Sequence, residues 1–266
     1  MERFVGGLAM SKHEGAGNDF LVMIDLDNRV QLTPDEARQL CDRHRGIGAD
    51  GLITVTAGTG GGEVTMGLFN ADGSVAEISG NGLRCMVHEV VRAGVVAPGE
   101  FTVMTGAGLR RVNCAEPDGI RAWVSADMGS LELLELDPQD RSAQVSVGNP
   151  HLVKVVDDLN GVDLDAEGAA LQAVRPGGIN VEWIAVGPDG SLDLKVFERG
   201  VGPTLACGSG SCAAALAARE LGLIGDEVVV RNPGGDLEVA LEGTVATLSG
   251  EVRIISDLLV PLERMR

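Results

Sequence analysis

Apolar positions along this chain fall mostly into short runs bounded by Gly, Asp and Asn, the mark of strands joined by turns. In the first half, Phe20–Asp25, Leu52–Thr56, Val64–Phe69, Phe101–Thr105, Leu109–Cys114 and Ile120–Ala126 read as strands. In the second half, Ala143–Val147, Leu152–Val156, Val181–Val186, Leu192–Glu198, Val228–Arg231, Leu237–Leu241, Val245–Leu248 and Val252–Ile255 do the same. Helices interrupt this pattern. One is announced by Thr33 as N-cap, Pro34 at the first helical position and Glu36 two residues later, a capping-box arrangement that predicts a helix to about Arg43. A second opens at Gly80-Asn81-Gly82 and runs through about Arg92, with Cys85, Val87 and Val90 as core residues. A third is the Ala-rich stretch Ala213–Ala218 behind Cys207–Cys212, and Asp157–Ala173 reads as a loop and a short helix. Leu131–Arg141 is acidic and reads as a crossover between the halves.

The strand–turn–helix passage occurs twice. Phe69 to Gly82 lies over Phe197 to Gly210 at one offset of 128 residues, so that Phe69 meets Phe197, Ser79 meets Cys207, and Gly80 and Gly82 meet Gly208 and Gly210. Downstream, Gly99–Val103 answers Gly225–Val229; upstream, Gly17-Asn18-Asp19-Phe20 resembles Gly148-Asn149-Pro150-His151. A repeat this long implies two copies of one α/β unit. Two such units would bring two helix N-termini to one cleft, which suits a carboxylate and lets an acid or base arrive from each side. A reaction that removes a proton from one face of a carbon and returns one to the other needs that arrangement and no cofactor.

Cys207 is the leading candidate for chemistry. It stands where the first N–H groups of a helix lack partners, and there the expectation is a thiol of lowered pKa, the most readily alkylated in the chain. Composition narrows the field of partners. Against 39 acidic residues stand 21 basic ones, for a net charge of −18, which argues against nucleic acids and anionic membrane surfaces. Only Lys12, Lys154 and Lys195 are lysines. Five cysteines form no disulfide framework, His and Cys are too scattered for a zinc site, and no apolar run reaches membrane-spanning length. A cytoplasmic location is the expectation. The recognisable pattern opens at Met10, which leaves Met1–Ala9 as an extension or a misassigned start.

Taken together, Gly17-Asn18-Asp19-Phe20, Asp42-Arg43-His44, Gly46–Gly51, Phe69–Ser74, Gly80-Asn81-Gly82, Gly148–His151, Glu198-Arg199-Gly200 and Ala206–Gly210 resemble the diaminopimelate epimerase family, in order from about Met10 onward. The resemblance implies an α/β fold of two pseudo-symmetric halves, each a mixed or antiparallel sheet curled around a central helix. It divides the chain into 10–126, joined by a terminal strand at 257–266, and 127–256. It implies a cofactor-independent isomerase that interconverts LL- and meso-diaminopimelate, for lysine and peptidoglycan precursors, by taking and returning the α-proton. Family members use two cysteines, one per half. Here Cys207 stands at one and Ser79 at the other. The resemblance assigns substrate contacts to Asn18, Asn70, Gly80, Asn81, Asn149, Asn180, Glu198, Arg199, Gly208 and Ser209, with His151 lining the cleft. It calls for no metal and a small amino-acid ligand, and is compatible with a homodimer. Serine for cysteine keeps other readings open: impaired epimerisation, a one-base reaction such as dehydration of a hydroxylated amino acid, or a binder of diamino-diacids without catalysis.

Overall fold

The computed structural model describes residues 7–261. The chain divides into two compact units, Met1–Ala126 with Glu251–Arg266, and Asp127–Gly250. The expected strand segment 257–266 extends past the described residues from position 262 onward, as does the start of the expected extension before residue 7.

The first unit is built from β1 (Gly7–Gly15), β2 (Asn18–Ile24), α1 (Pro34–Cys41), β3 (Gly51–Ala57), β4 (Val64–Asn70), α2 (Gly80–Arg92), β5 (Gly99–Thr105), β6 (Gly108–Cys114) and β7 (Arg121–Ser130), whose last residues pass into the second unit. The second unit holds β8 (Glu132–Asp137), β9 (Ser142–Ser146), β10 (Pro150–Val155), α3 (Leu164–Ala173), β11 (Asn180–Val186), β12 (Leu192–Glu198), β13 (Gly202–Thr204), α4 (Gly208–Glu220), β14 (Glu227–Asn232) and β15 (Gly235–Glu242). Last comes β16 (Val245–Pro261), one long strand whose beginning pairs with β15 and whose later part pairs antiparallel with β1.

The two units share a plan. In the first, β2–β3 and β4–β5 are parallel pairs, and β3–β4 and β5–β6 are antiparallel. In the second, β10–β11 and β12–β14 are parallel, and β11–β12 and β14–β15 antiparallel. Parallel neighbours need a crossover, and each crossover carries a helix or a loop. The sequence offset of 128 holds in the elements themselves: β4 and α2 begin and end 128 residues before β12 and α4.

Burial explains the central helices. Every residue of α2 from Gly80 to Val91 is buried, and Leu83, Met86, Val87 and Val90 pack against Phe20, Ile53, Val103 and Val124 from the surrounding strands. Polar side chains are buried with them and held by partners, Arg84 on Asn81, and Glu89 on His13 and Arg92. In α4 the run from Gly210 to Ala218 is likewise buried, and its alanines let β9, β10, β11, β14 and β15 approach closely. Smaller helices cover the other face. In the first unit Leu40 and Cys41 of α1 meet Leu21, Met23 and Leu52. In the second, Leu164 and Leu171 of α3 meet Val181 and Trp183.

Three expectations change. Gly7–Ala9 is not an extension but the start of β1, registered against Leu259–Pro261. The acidic crossover contains a strand, β8, because Glu132–Asp137 finds an antiparallel partner in β9. Helix α1 stops at Cys41 rather than Arg43, since Asp42 is extended and its carboxylate instead accepts the N–H groups of His44 and Arg45.

Candidate active site

In the first unit the candidate residues gather where β2, β3 and β4 lead to the start of α2. Ser79 is extended (φ −133°, ψ 125°) and caps α2, its Oγ accepting the Gly82 N–H at 3.1 Å. Buried Gly80 and Asn81 follow it into the helix. Asn81 Nδ2 donates to Asn18 Oδ1 at 3.4 Å, while its Oδ1 accepts from Arg84 at 2.7 Å. Asn18 Nδ2 in turn donates to Asp50 at 2.7 Å. Arg84 can only donate and an ionised Asp50 only accepts, so this chain fixes which way both amides point. Asp50 also accepts from Arg43, which forks onto Asp19, and Lys12 lies 2.8 Å from Asp19. Burial alone would raise Asp19, but the hydrogen bonds from Arg43 and Lys12 hold it down at about 2. Asn70 is exposed at the end of β4, opposite Gly51, and its side chain donates to Ser74.

In the second unit the equivalent turn opens α4. Cys207 is its N-cap (φ −128°, ψ 114°); Sγ accepts the Gly210 N–H at 3.3 Å and lies 3.4 Å from Ser209 Oγ. Gly208 is buried between them. On the parallel pair β10–β11, His151 stands opposite Asn180. His151 is fully buried, with Nδ1 2.7 Å from Glu182 and Nε2 3.0 Å from Asn149 Oδ1. Asn180 donates to the Pro150 carbonyl and accepts the Arg199 N–H at 2.9 Å. Glu198 accepts from Thr204, and the Arg199 residue is exposed.

The thiol departs from expectation. Cys207 is only 7% exposed, and burial pushes its pKa well above the ordinary 9, with Glu198 and Glu182 pushing the same way. Ser209 and the Gly210 N–H pull it down but do not prevail. Helix-end donors stabilise a thiolate only when water and neighbouring carboxylates do not decide the matter first. At rest Cys207 is therefore a thiol. The residues the sequence left out are Glu182, Arg84 and Ser74. Glu182 had one signal, a lone charge inside the otherwise apolar run Val181–Val186; the others come together only on folding.

Among the described residues, no group of three or more His, Cys, Asp or Glu side chains is arranged to hold a metal ion, and no helix is long and apolar enough to cross a membrane.

Residues 10–134 and 143–255 match the diaminopimelate epimerase family. The chain belongs to that family. It is 38% identical over 267 residues to the diaminopimelate epimerase of Corynebacterium glutamicum (strain ATCC 13032), covering 94% of this chain and 96% of the relative. To the diaminopimelate epimerase of Methanothermobacter thermautotrophicus it is 34% identical, covering 94% and 97%. Diaminopimelate epimerases are isomerases, and this chain is one by descent. The fold extends further. A hydroxyproline epimerase from Agrobacterium vitis superposes with a TM-score of 0.77 at 17% identity, covering 98% of this chain and 94% of that one. A PhzF-family protein from Bacillus anthracis gives 0.73 at 13%, covering 96% and 99%.

Proposed function

We propose that this diaminopimelate epimerase exchanges the substrate α-proton with Cys207 on one face and with position 79 on the other, without a cofactor. The observation that carries the reading is the matched pair of N-caps: Ser79 and Cys207 occupy the same place on α2 and α4 and make the same bond, to the N–H three residues on. First-turn N–H groups at such an end suit the α-carboxylate, and charge stabilisation there supports the carbanion. Asn18, Asn70, Asn81, Asn149, Asn180, Glu198 and Arg199 hold the rest of the diamino-diacid, with His151 behind them.

The resting thiol fixes the direction of the first proton movement. Cys207 must give up its proton before its sulfur can take the substrate α-proton, a loss that burial, Glu198 and Glu182 all oppose. Serine cannot do this readily, because its alkoxide is out of reach near neutral pH; it passes a proton by relay or not at all. General acid–base help is worth roughly 10²–10⁴-fold, so Ser79 slows epimerisation by about that factor relative to cysteine. A homodimer accords with this reading, as does a small amino-acid ligand.

The test is incubation with LL- and meso-diaminopimelate in D₂O. Deuterium enters one isomer with retention faster than the isomer ratio changes, Ser79→Cys raises epimerisation by about 10²-fold or more, and Cys207→Ala abolishes exchange. An unchanged rate in Ser79→Cys means that the serine already works as the second partner or that the substrate is not diaminopimelate, and absence of exchange with either isomer leaves a binder.

A further inference from the structure

Glu182 is a carboxylate in an apolar place. It lies on β11 between Val181 and Trp183, and all three residues are fully buried. One oxygen, Oε1, sits 2.7 Å from Nδ1 of His151, which reaches it from the parallel neighbour β10. The same carboxylate lies against the first turn of α4: a Cβ built on Gly210 would stand 2.5 Å from Oε1 and 3.1 Å from Cδ. Gly210 is the residue whose N–H reaches Cys207 Sγ. The other oxygen, Oε2, is buried without a hydrogen-bond partner among the described residues. An oxygen left so is a standing cost to the fold, and an apolar side chain of similar size would avoid it.

We propose that Glu182 is a positioning residue of the reaction, fixing the Nδ1 edge of His151 while holding its carboxylate against the Cys207 turn. This rests on Cys207 being the reacting thiol. A histidine whose Nδ1 side is anchored by a carboxylate presents Nε2 in one orientation only, as in other sites where an outer partner fixes the ring. Here Nε2 faces Asn149. The groups around Cys207 are Glu182 from β11, Glu198 from β12, and Ser209 and the Gly210 N–H from α4, with His151 of β10 behind Glu182. Removing one of the two carboxylates makes the thiolate easier to form.

Glu182→Gln keeps the shape and an oxygen for Nδ1–H, and removes the charge. The pH midpoint for alkylation of Cys207 then moves down by about one pH unit. The kcat for LL-diaminopimelate falls about tenfold to a hundredfold, the scale seen for outer partners of functional histidines, with KM changed less than about threefold. Gly210→Ala crowds the same carboxylate from the other side: its backbone needs no glycine, but the added methyl stands 2.5 Å from Oε1 and 3.1 Å from Cys207 Cβ, so it tests the contact while Glu182→Gln tests the charge. Melting temperatures identify which variant is folded. An unmoved midpoint in a folded variant, or a loss confined to KM, overturns the proposal. Cys207→Ala tests the parent reading separately. If it epimerises normally, Cys207 is not the reacting thiol; if it is dead while the Glu182 variant matches the unaltered chain, only the role of Glu182 falls.

Discussion

At the scale of single residues, burial decides the chemistry of the ionisable groups. Cys207 is the most exposed of the five cysteines, yet only 7% accessible, and its pKa lies above the usual range because burial and two carboxylates outweigh two hydrogen bonds. Iodoacetamide at pH 7 should therefore modify it slowly, with the rate still climbing beyond pH 9. Among the cysteines it should nonetheless react first, because it is the most accessible: Cys41 is 3% exposed and Cys85, Cys114 and Cys212 are fully buried. Peptide mapping after a short exposure at several pH values checks both statements.

His88 is the opposite case. It is fully buried on α2, its ring meets His13 edge-on with centroids 5.0 Å apart, and neither nitrogen has a hydrogen-bond partner among the described residues. Burial, helped by His13 and Arg92 against Glu89 and Asp118, pushes its pKa from 6.5 to about 4. Below 6.5 the unfolded chain takes up a proton that the folded one refuses, so stability is lost as pH falls from 6.5 to about 4. The full gap corresponds to about 3 kcal/mol. His88→Leu breaks no hydrogen bond and should flatten this part of the stability–pH curve, read from urea midpoints at pH 7 and pH 4.5.

At the scale of elements, the two central helices pull stability and chemistry in opposite directions. Serine is among the best N-caps, while cysteine is not a preferred one, and losing a good cap costs about 1 kcal/mol. Ser79→Cys, which favours epimerisation, should thus lower the melting temperature, and Cys207→Ser, which removes the reacting thiol, should raise it. Calorimetry on the two variants checks the pair. Equal and unchanged melting temperatures would show that neither cap contributes measurably.

Local signals were enough to read these elements. Thr33 and Glu36 do form the capping box, and the offset of 128 carries intact from motif to helix boundary. The thiol's acidity was not legible, because it depends on Glu182 and Glu198 arriving from two other strands. Strand β8 was missed for a related reason. Its acidic face is exposed and its strand character comes from pairing with β9, which no local composition announces.

At the scale of the whole molecule, charge is the dominant property. A net charge of −18 repels itself, and the effect is strongest when little salt is present. Most of the ion pairs, such as Arg29–Asp27 and Arg141–Asp157, have an exposed partner and are worth little, so screening them costs less than screening the repulsion gains. The melting temperature should rise between about 10 mM and 300 mM sodium chloride, a range over which the Debye length falls to well under 10 Å. A fall across that range would mean that the ion pairs matter more than the surplus of acid.

The long strand β16 also bears on how the protein is made. The first unit takes β1 from the start of the described chain and the partner of β1 from residues 253–261. A ribosome that has finished Ala126 has delivered all of that unit's helices but not the strand that covers the edge of β1. At about 5–20 residues per second the missing strand follows roughly 7 to 27 seconds later. Throughout that interval Gly7–Glu14 presents a row of unpaired backbone groups to whatever else the nascent chain meets. The last stretch of β16, made after the whole second unit, is thus what completes the first.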